Sequence, residues 1–161
     1  MKSLVRLLAF PALMLAACSP QAGAEAAPTP SAAATHPVSG LQVIPLTVTH
    51  GGKTHRFRVE VAASDQEQER GLMFRTEMGP DEGMIFPSET ARMRSFWMRN
   101  TVIPLDMIFI GPDRRIVNII ANAEPYSLDS RPSAAPVIAV LELNGGRAAE
   151  LGIGPGAAVS W

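Results

Sequence analysis

Apolar and polar positions alternate along residues 54–62, where Phe57, Val59 and Val61 fall on one side and Arg56, Arg58 and Glu60 on the other. That is the period of a half-buried strand. Residues 41–49 before it are apolar and rich in β-branched side chains, and His50-Gly51-Gly52-Lys53 offers glycines where a tight hairpin needs positive φ. The two runs are expected to pair. His50 and His55 flank the turn without a third metal ligand nearby, so they are expected to be solvated turn residues.

Ser64-Asp65-Gln66-Glu67 fits a capping box, and acids crowd the first turn as the helix dipole prefers. A short helix should run from Asp65 to near Gly71. Residues 71–87 mix glycine and proline with short apolar runs, predicting loop and a brief strand at 84–86. Residues 96–98 and 105–110 read as strands joined through Asn100-Thr101 and Pro104. In the second, Leu105, Met107 and Phe109 share one face and Asp106, Ile108 and Ile110 the other. Both faces are apolar, the mark of a central strand, so Asp106 is expected to be buried. A buried carboxylate needs an arginine or several N–H donors. Arg70, Arg75, Arg94 and Arg99 are the candidate partners, and pairing to one of them is the expectation.

Residues 115–121 form another apolar strand, and 122–136, with three prolines, a long loop. Residues 137–143 repeat the pattern of 105–110: an apolar strand with one acid, Glu142, on the side of Ile138 and Val140. A helical turn at 147–151, stopped by Gly152, and a last strand at 157–161 follow. The fold class is therefore mainly β, a compact β-sandwich or barrel-like domain with one or two short helices.

The start of the chain differs in kind. Lys2 and Arg6 precede an apolar run, residues 7–17, too short to span a bilayer, which is the layout of a secretory signal. Leu15-Ala16-Ala17-Cys18 resembles a bacterial lipobox, which implies that Cys18 is lipidated and heads the mature protein. An ordinary signal cut near Ala22-Gly23-Ala24 is the alternative. Ser19 rather than Asp after the cysteine implies, by enteric sorting rules, the outer membrane rather than the inner. Residues 18–40, dominated by Ala, Pro, Ser and Thr, bury too little to offset ordering entropy and read as a disordered linker, His36 included. The organisation expected is thus 1–17 signal peptide, 18–40 linker and 41–161 one globular domain.

Charge and chemistry narrow the function classes. Net charge is −1, and removing residues 1–17 takes away Lys2 and Arg6 and no acid, leaving −3. Neither value suggests nucleic acid. One cysteine precludes an internal disulfide. The central stretch, residues 71–110, has no cysteine, histidine or phosphate-binding glycine loop, and no cofactor is expected. Binding is thus the simpler expectation. Trp97 should face opposite to Phe96 and Met98, free to floor a pocket beside Asn100 and Thr101, with Arg70 or Arg75 orienting an envelope glycan fragment or peptide segment. The competing reading makes Trp97 core and Asn100-Thr101 a plain turn. For Arg70 and Arg75 the favoured reading is structural pairing with a buried carboxylate. A hydrolase using Asp106 and Glu142 as acid and base is the catalytic alternative, set against separate structural salt links. Thioether ligands suit Cu(I), and Met73, Met84 and Met98 would be the ligands. No two methionines in the stretch are closer than five residues, however, and methionine commonly fills core gaps.

Arg70-Gly71-Leu72-Met73, Gly83-Met84-Ile85-Phe86, Phe96-Trp97-Met98-Arg99-Asn100-Thr101, Pro104-Leu105-Asp106 and Val140-Leu141-Glu142-Leu143 with Gly145 or Gly146 together resemble the bacterial and archaeal family called domain of unknown function 192. The resemblance covers roughly residues 42–160, with the motifs in family order. It implies a compact, mainly β sandwich or barrel, often exported behind a signal sequence. The lysine common between Met98 and Asn100 is Arg99 here, a same-charge change. The resemblance implies no reaction.

Overall fold

The computed structural model of the chain describes residues 34–161. The expected signal, the lipidation site at Cys18 and most of the linker lie outside the described residues. In chain order the elements are β1 Ala34–Thr35, β2 Gln42–His50, β3 Lys53–Val61, α1 Asp65–Arg70, β4 Glu82–Arg92 and β5 Ser95–Phe96. They continue with β6 Leu105–Ile110, β7 Ile116–Ala123, β8 Arg131–Pro132, β9 Val137–Asn144, α2 Arg147–Glu150 and β10 Ala158–Ser160.

The expected hairpin is β2–β3, closed by Gly51 and Gly52 at φ 55° and 77°, a turn that residues with a Cβ resist. The capping box holds: the Glu67 amide donates to Ser64 Oγ and the Glu67 carboxylate accepts from the Ser64 amide. Helix α1 ends at Gly71, φ 46°. It links β3 to β4, which pair in parallel, whereas the other pairings are antiparallel.

Eight strands form one sheet in the order β1-β2-β3-β4-β9-β6-β7, with β10 sharing with β1 the side of β2 opposite β3. Near the start of β7, Arg115 bridges Ala158 of β10, and backbone bonds Ile116 N–H to Ala157 O at 2.9 Å and Val159 N–H to Arg114 O at 2.8 Å join the two edges. The wall thus closes on itself as a barrel, the device that removes free strand edges.

Closure divides the apolar residues in two. Inside lie Leu46, Phe57, Val59, Ile85, Ile108 and Leu141 among others, contributed by each strand of the closed wall. Outside, on the wall made by β4, β9 and β6, a second core of Met84, Phe86, Met107, Phe109 and Val140 is covered by Leu72, Met98 and Phe96. Strand β6 lies between the two, which is why all six of its residues are buried.

Several expectations shift. The brief strand at 84–86 is the buried centre of the longer β4, and the strand at 96–98 is reduced to Ser95–Phe96, pairing with β8. The ordered fold begins upstream of Leu41, because β1 pairs with β2 at Ala34 and Thr35. His36, read as linker, is half-buried, and Glu60, on the polar side of β3, is buried beneath it. Arg75 grips Glu60 bidentately at 2.8 and 3.0 Å, Ser39 adds a hydroxyl, and His36 Nδ1 stands 3.7 Å away. Strand alternation cannot reveal this, because the covering segment returns from another part of the chain. Nor are both turn histidines free: His50 Nδ1 accepts the Gly154 amide at 2.9 Å, and His55 Nε2 is buried without a partner.

Candidate functional site

The two acids of the central strands are set by the register of β6 against β9. Asp106 stands opposite Leu143, and Met107 opposite Glu142. Residues opposite each other share a face and successive residues alternate, so Asp106 points toward the barrel interior with Leu143 while Glu142 points to the outer core with Met107. An acid–base pair of Asp106 and Glu142 does not form.

Asp106 is wholly buried, as expected, but no arginine reaches it. Its carboxylate accepts three backbone N–H groups instead: Asn122 at 2.7 Å, Gly146 at 2.8 Å and Ala148 at 2.8 Å. The last two open α2, a four-residue helix that could not persist alone. Arg147 fixes the other side of that turn, donating to Pro80 O at 2.9 Å and to Asp81 at 2.7 Å. Asp106 is thereby a structural clamp joining β6, the end of β7 and α2, not half of a salt link.

Glu142 has the opposite character. It is 4% exposed, its cross-strand neighbours are Met84 and Met107, and it makes no hydrogen bond or ion pair among the described residues. Burial pushes its carboxyl up to about 8, so it holds its proton at neutral pH. It lines a cleft of about 330 Å³ together with Arg70, Trp97, Arg99 and Thr101, within the usual size of a small-molecule site.

The walls of this cleft come from three directions. The C-terminal end of α1 brings Arg70, which is exposed and makes no hydrogen bond or ion pair among the described residues. The segment after β5 brings Trp97, 48% exposed, with the Arg99 guanidinium 5.6 Å from its ring centre. Phe96 turns the other way, edge-on to Phe86 at 5.0 Å and Phe109 at 6.3 Å, and Met98 is fully buried. Trp97 is therefore not core. Replacing it with Ala should change stability by less than about 1 kcal/mol, whereas Phe96→Ala should cost on the order of 3 kcal/mol; urea unfolding of the two variants side by side tests the assignment.

The other candidates divide. Thr101 is buried in the cleft wall with its hydroxyl donating to Arg99 O at 3.3 Å. Asn100 does not line the cleft: its φ is 54°, its carbonyl accepts the Phe74 amide at 2.8 Å, and its side-chain amide reaches Met73 Sδ at 3.8 Å. Asn100-Thr101 is thus a turn as well as, through Thr101, a wall. Arg75 is spent on Glu60 and lies beside a neighbouring depression of about 800 Å³. That depression is larger, but the Arg75 that lines it is paired with the buried Glu60 behind it, while the smaller cleft holds the acid without a partner. Met73 lines both, and Met84 and Met98 are wholly buried in the outer core. Among the described residues no three His, Cys, Asp or Glu side chains cluster as a metal site.

The family model DUF192, described as uncharacterized ACR, matches residues 46–161. Among solved structures, a protein of unknown function from Novosphingobium aromaticivorans DSM 12444 is 57% identical, the match covering 89% of this chain and 99% of that one with a TM-score of 0.79. A candidate transcription regulator from Sinorhizobium meliloti 1021 is 40% identical over 74% of this chain and 94% of that one, with a TM-score of 0.73. No curated protein matches the chain.

Proposed function

The chain belongs to the DUF192 family, which comes without an assigned activity, and from that premise we propose that it is a lipid-anchored, non-catalytic binding module of the bacterial cell envelope. Its cleft between α1, Trp97 and β9 takes an envelope glycan fragment or peptide segment. The observation that carries this reading is the convergence of a half-exposed indole and an unpartnered buried acid on one concavity. An exposed tryptophan costs hydration and a buried, unpaired acid costs desolvation, so both groups are improved by a bound ligand. Catalysis has less support, because Asp106 faces the other side of the sheet with its oxygens occupied by amides. A nucleic-acid role, suggested by the description of the Sinorhizobium protein, finds no counterpart in a net charge of −1.

The anchor rests on the sequence: the only cysteine ends the Leu15-Ala16-Ala17-Cys18 run. Two acyl chains hold a protein at a membrane far more firmly than one, and Ser19 after the cysteine favours the periplasmic side of the outer membrane over the inner. Cys18→Ser should abolish lipid-dependent processing and release the protein into the soluble fraction. Unchanged mobility and membrane retention would defeat the anchor. For the cleft, Trp97→Ala should keep the fold while losing the envelope components that wild type retains in a pull-down. If the variant captures all of them, the binding face lies elsewhere.

A further inference from the structure

Around Glu142 the charged groups are unevenly distributed. Its own strand and the flanking β4 and β6 present Val140, Met84 and Met107, none titratable. From α1 come Glu69 and Arg70, and from the segments on either side of Trp97 come Arg94 and Arg99. Arg94 is already held by Ser88 Oγ at 2.6 Å and Gln68 Oε1 at 3.0 Å, leaving Arg70 and Arg99 available at the rim. A ligand thus passes Arg70 and Arg99, which outnumber Glu69, to reach an acid. An amine would be repelled at the rim, while an anion would be drawn in and would then meet Glu142.

We infer that the cleft, on the binding reading above, selects a carboxylate-bearing ligand of sugar or dipeptide size, whose carboxylate hydrogen-bonds to the Glu142 carboxyl at the floor and is charge-paired by Arg70 and Arg99 at the rim. An acid–carboxylate hydrogen bond in a site of low dielectric is short and strong, and it gives Glu142 the partner that no described residue supplies. Trp97 supplies the flat apolar surface against which a sugar ring or a peptide plane rests. Bound in this way, the ligand needs the proton on Glu142, so its affinity is tied to that proton.

The test uses the full-length chain and four probes in isothermal titration. N-acetylmuramic acid and N-acetylglucosamine differ in a carboxylate on a sugar, and N-acetyl-Ala-Ala differs from Ala-Ala amide in carrying a carboxylate and no amine. The carboxylated member of at least one pair should bind at least tenfold more tightly than its partner, and which pair responds tells a glycan acid from a peptide terminus. Its affinity should fall about tenfold between about pH 6 and about pH 9, because the fraction of protonated Glu142 falls by that much across a value of about 8. Glu142→Gln, which keeps an N–H donor, should retain binding and lose the pH dependence, and Arg70→Ala should weaken binding without changing it. Equal, Trp97-dependent affinity within both pairs would overturn the carboxylate inference while leaving the binding cleft in place. Tighter binding of the amine as pH rises would overturn it in favour of a cationic ligand. No binding by any probe, or binding indifferent to Trp97→Ala, would remove both.

Discussion

Asp106→Ala is expected to lower the stability of the domain by at least about 3 kcal/mol, because the change leaves three inward-pointing N–H groups without an acceptor. The cost is not only that of the lost bonds. Asn122 and the Gly146–Ala148 turn belong to segments far apart in sequence, and their common acceptor is what holds α2 and the end of β7 to β6. For a domain of this size the loss corresponds to a drop in melting temperature of roughly 10 °C or more. Asp106→Asn should fall between, since one carbonyl oxygen still accepts while the amide nitrogen meets a donor. Differential scanning calorimetry decides: a melting temperature for Asp106→Ala within a degree of wild type would mean that the amides find water, and that the clamp is dispensable.

Glu142 should behave in the opposite sense. Its folded carboxyl sits near 8 against an ordinary value of 4.5, raised by burial alone. The folded state therefore binds more protons than the unfolded chain between those values, and stability falls with rising pH across that window. Sign and size follow together: the contribution of this acid is fully present below about 4.5, declines by about 1.4 kcal/mol per pH unit above it, and levels off above about 8. The whole decline is on the order of 3 to 5 kcal/mol. Glu142→Gln should flatten the profile, and Glu142→Met, which matches the flanking Met84 and Met107, should leave the protein more stable than wild type at pH 8 by a similar order. Denaturant titrations at several pH values, read as the difference between wild type and Glu142→Gln, isolate the effect from that of other carboxylates. Superimposable profiles would mean that the acid is hydrated within the cleft. A stabilised variant that fails to bind would identify Glu142 as a residue kept at the expense of stability, as binding sites often require.

What could be read from the chain alone follows the range of each interaction. The β2–β3 hairpin, the Ser64 capping box and the double burial of β6 are local, written in neighbouring residues, and all appear as expected. The side of Glu142 was legible too, since it shares a face with Val140. Its separation from Asp106 was not, because it depends on Asp106 standing opposite Leu143 rather than Glu142, a shift of one residue that no composition betrays. The arginine partner expected for Asp106 fails for a related reason. Backbone amides carry no side-chain signature, so a carboxylate satisfied by Gly146 and Ala148 looks in sequence like one awaiting a cation. Arg75 did find a buried acid, but the acid was Glu60, hidden by residues 36–41 returning over the strand.

The seam between β2 and β10 pairs Thr49 with Ala158, positions 109 apart when 49 is subtracted from 158. Such a closure carries the largest loop entropy of any contact in the wall and has to come late in folding. Until Ala158–Ser160 arrive, residues 47–49 of β2 keep an open edge, so the barrel is locked by its most distant pairing and not by its hairpins.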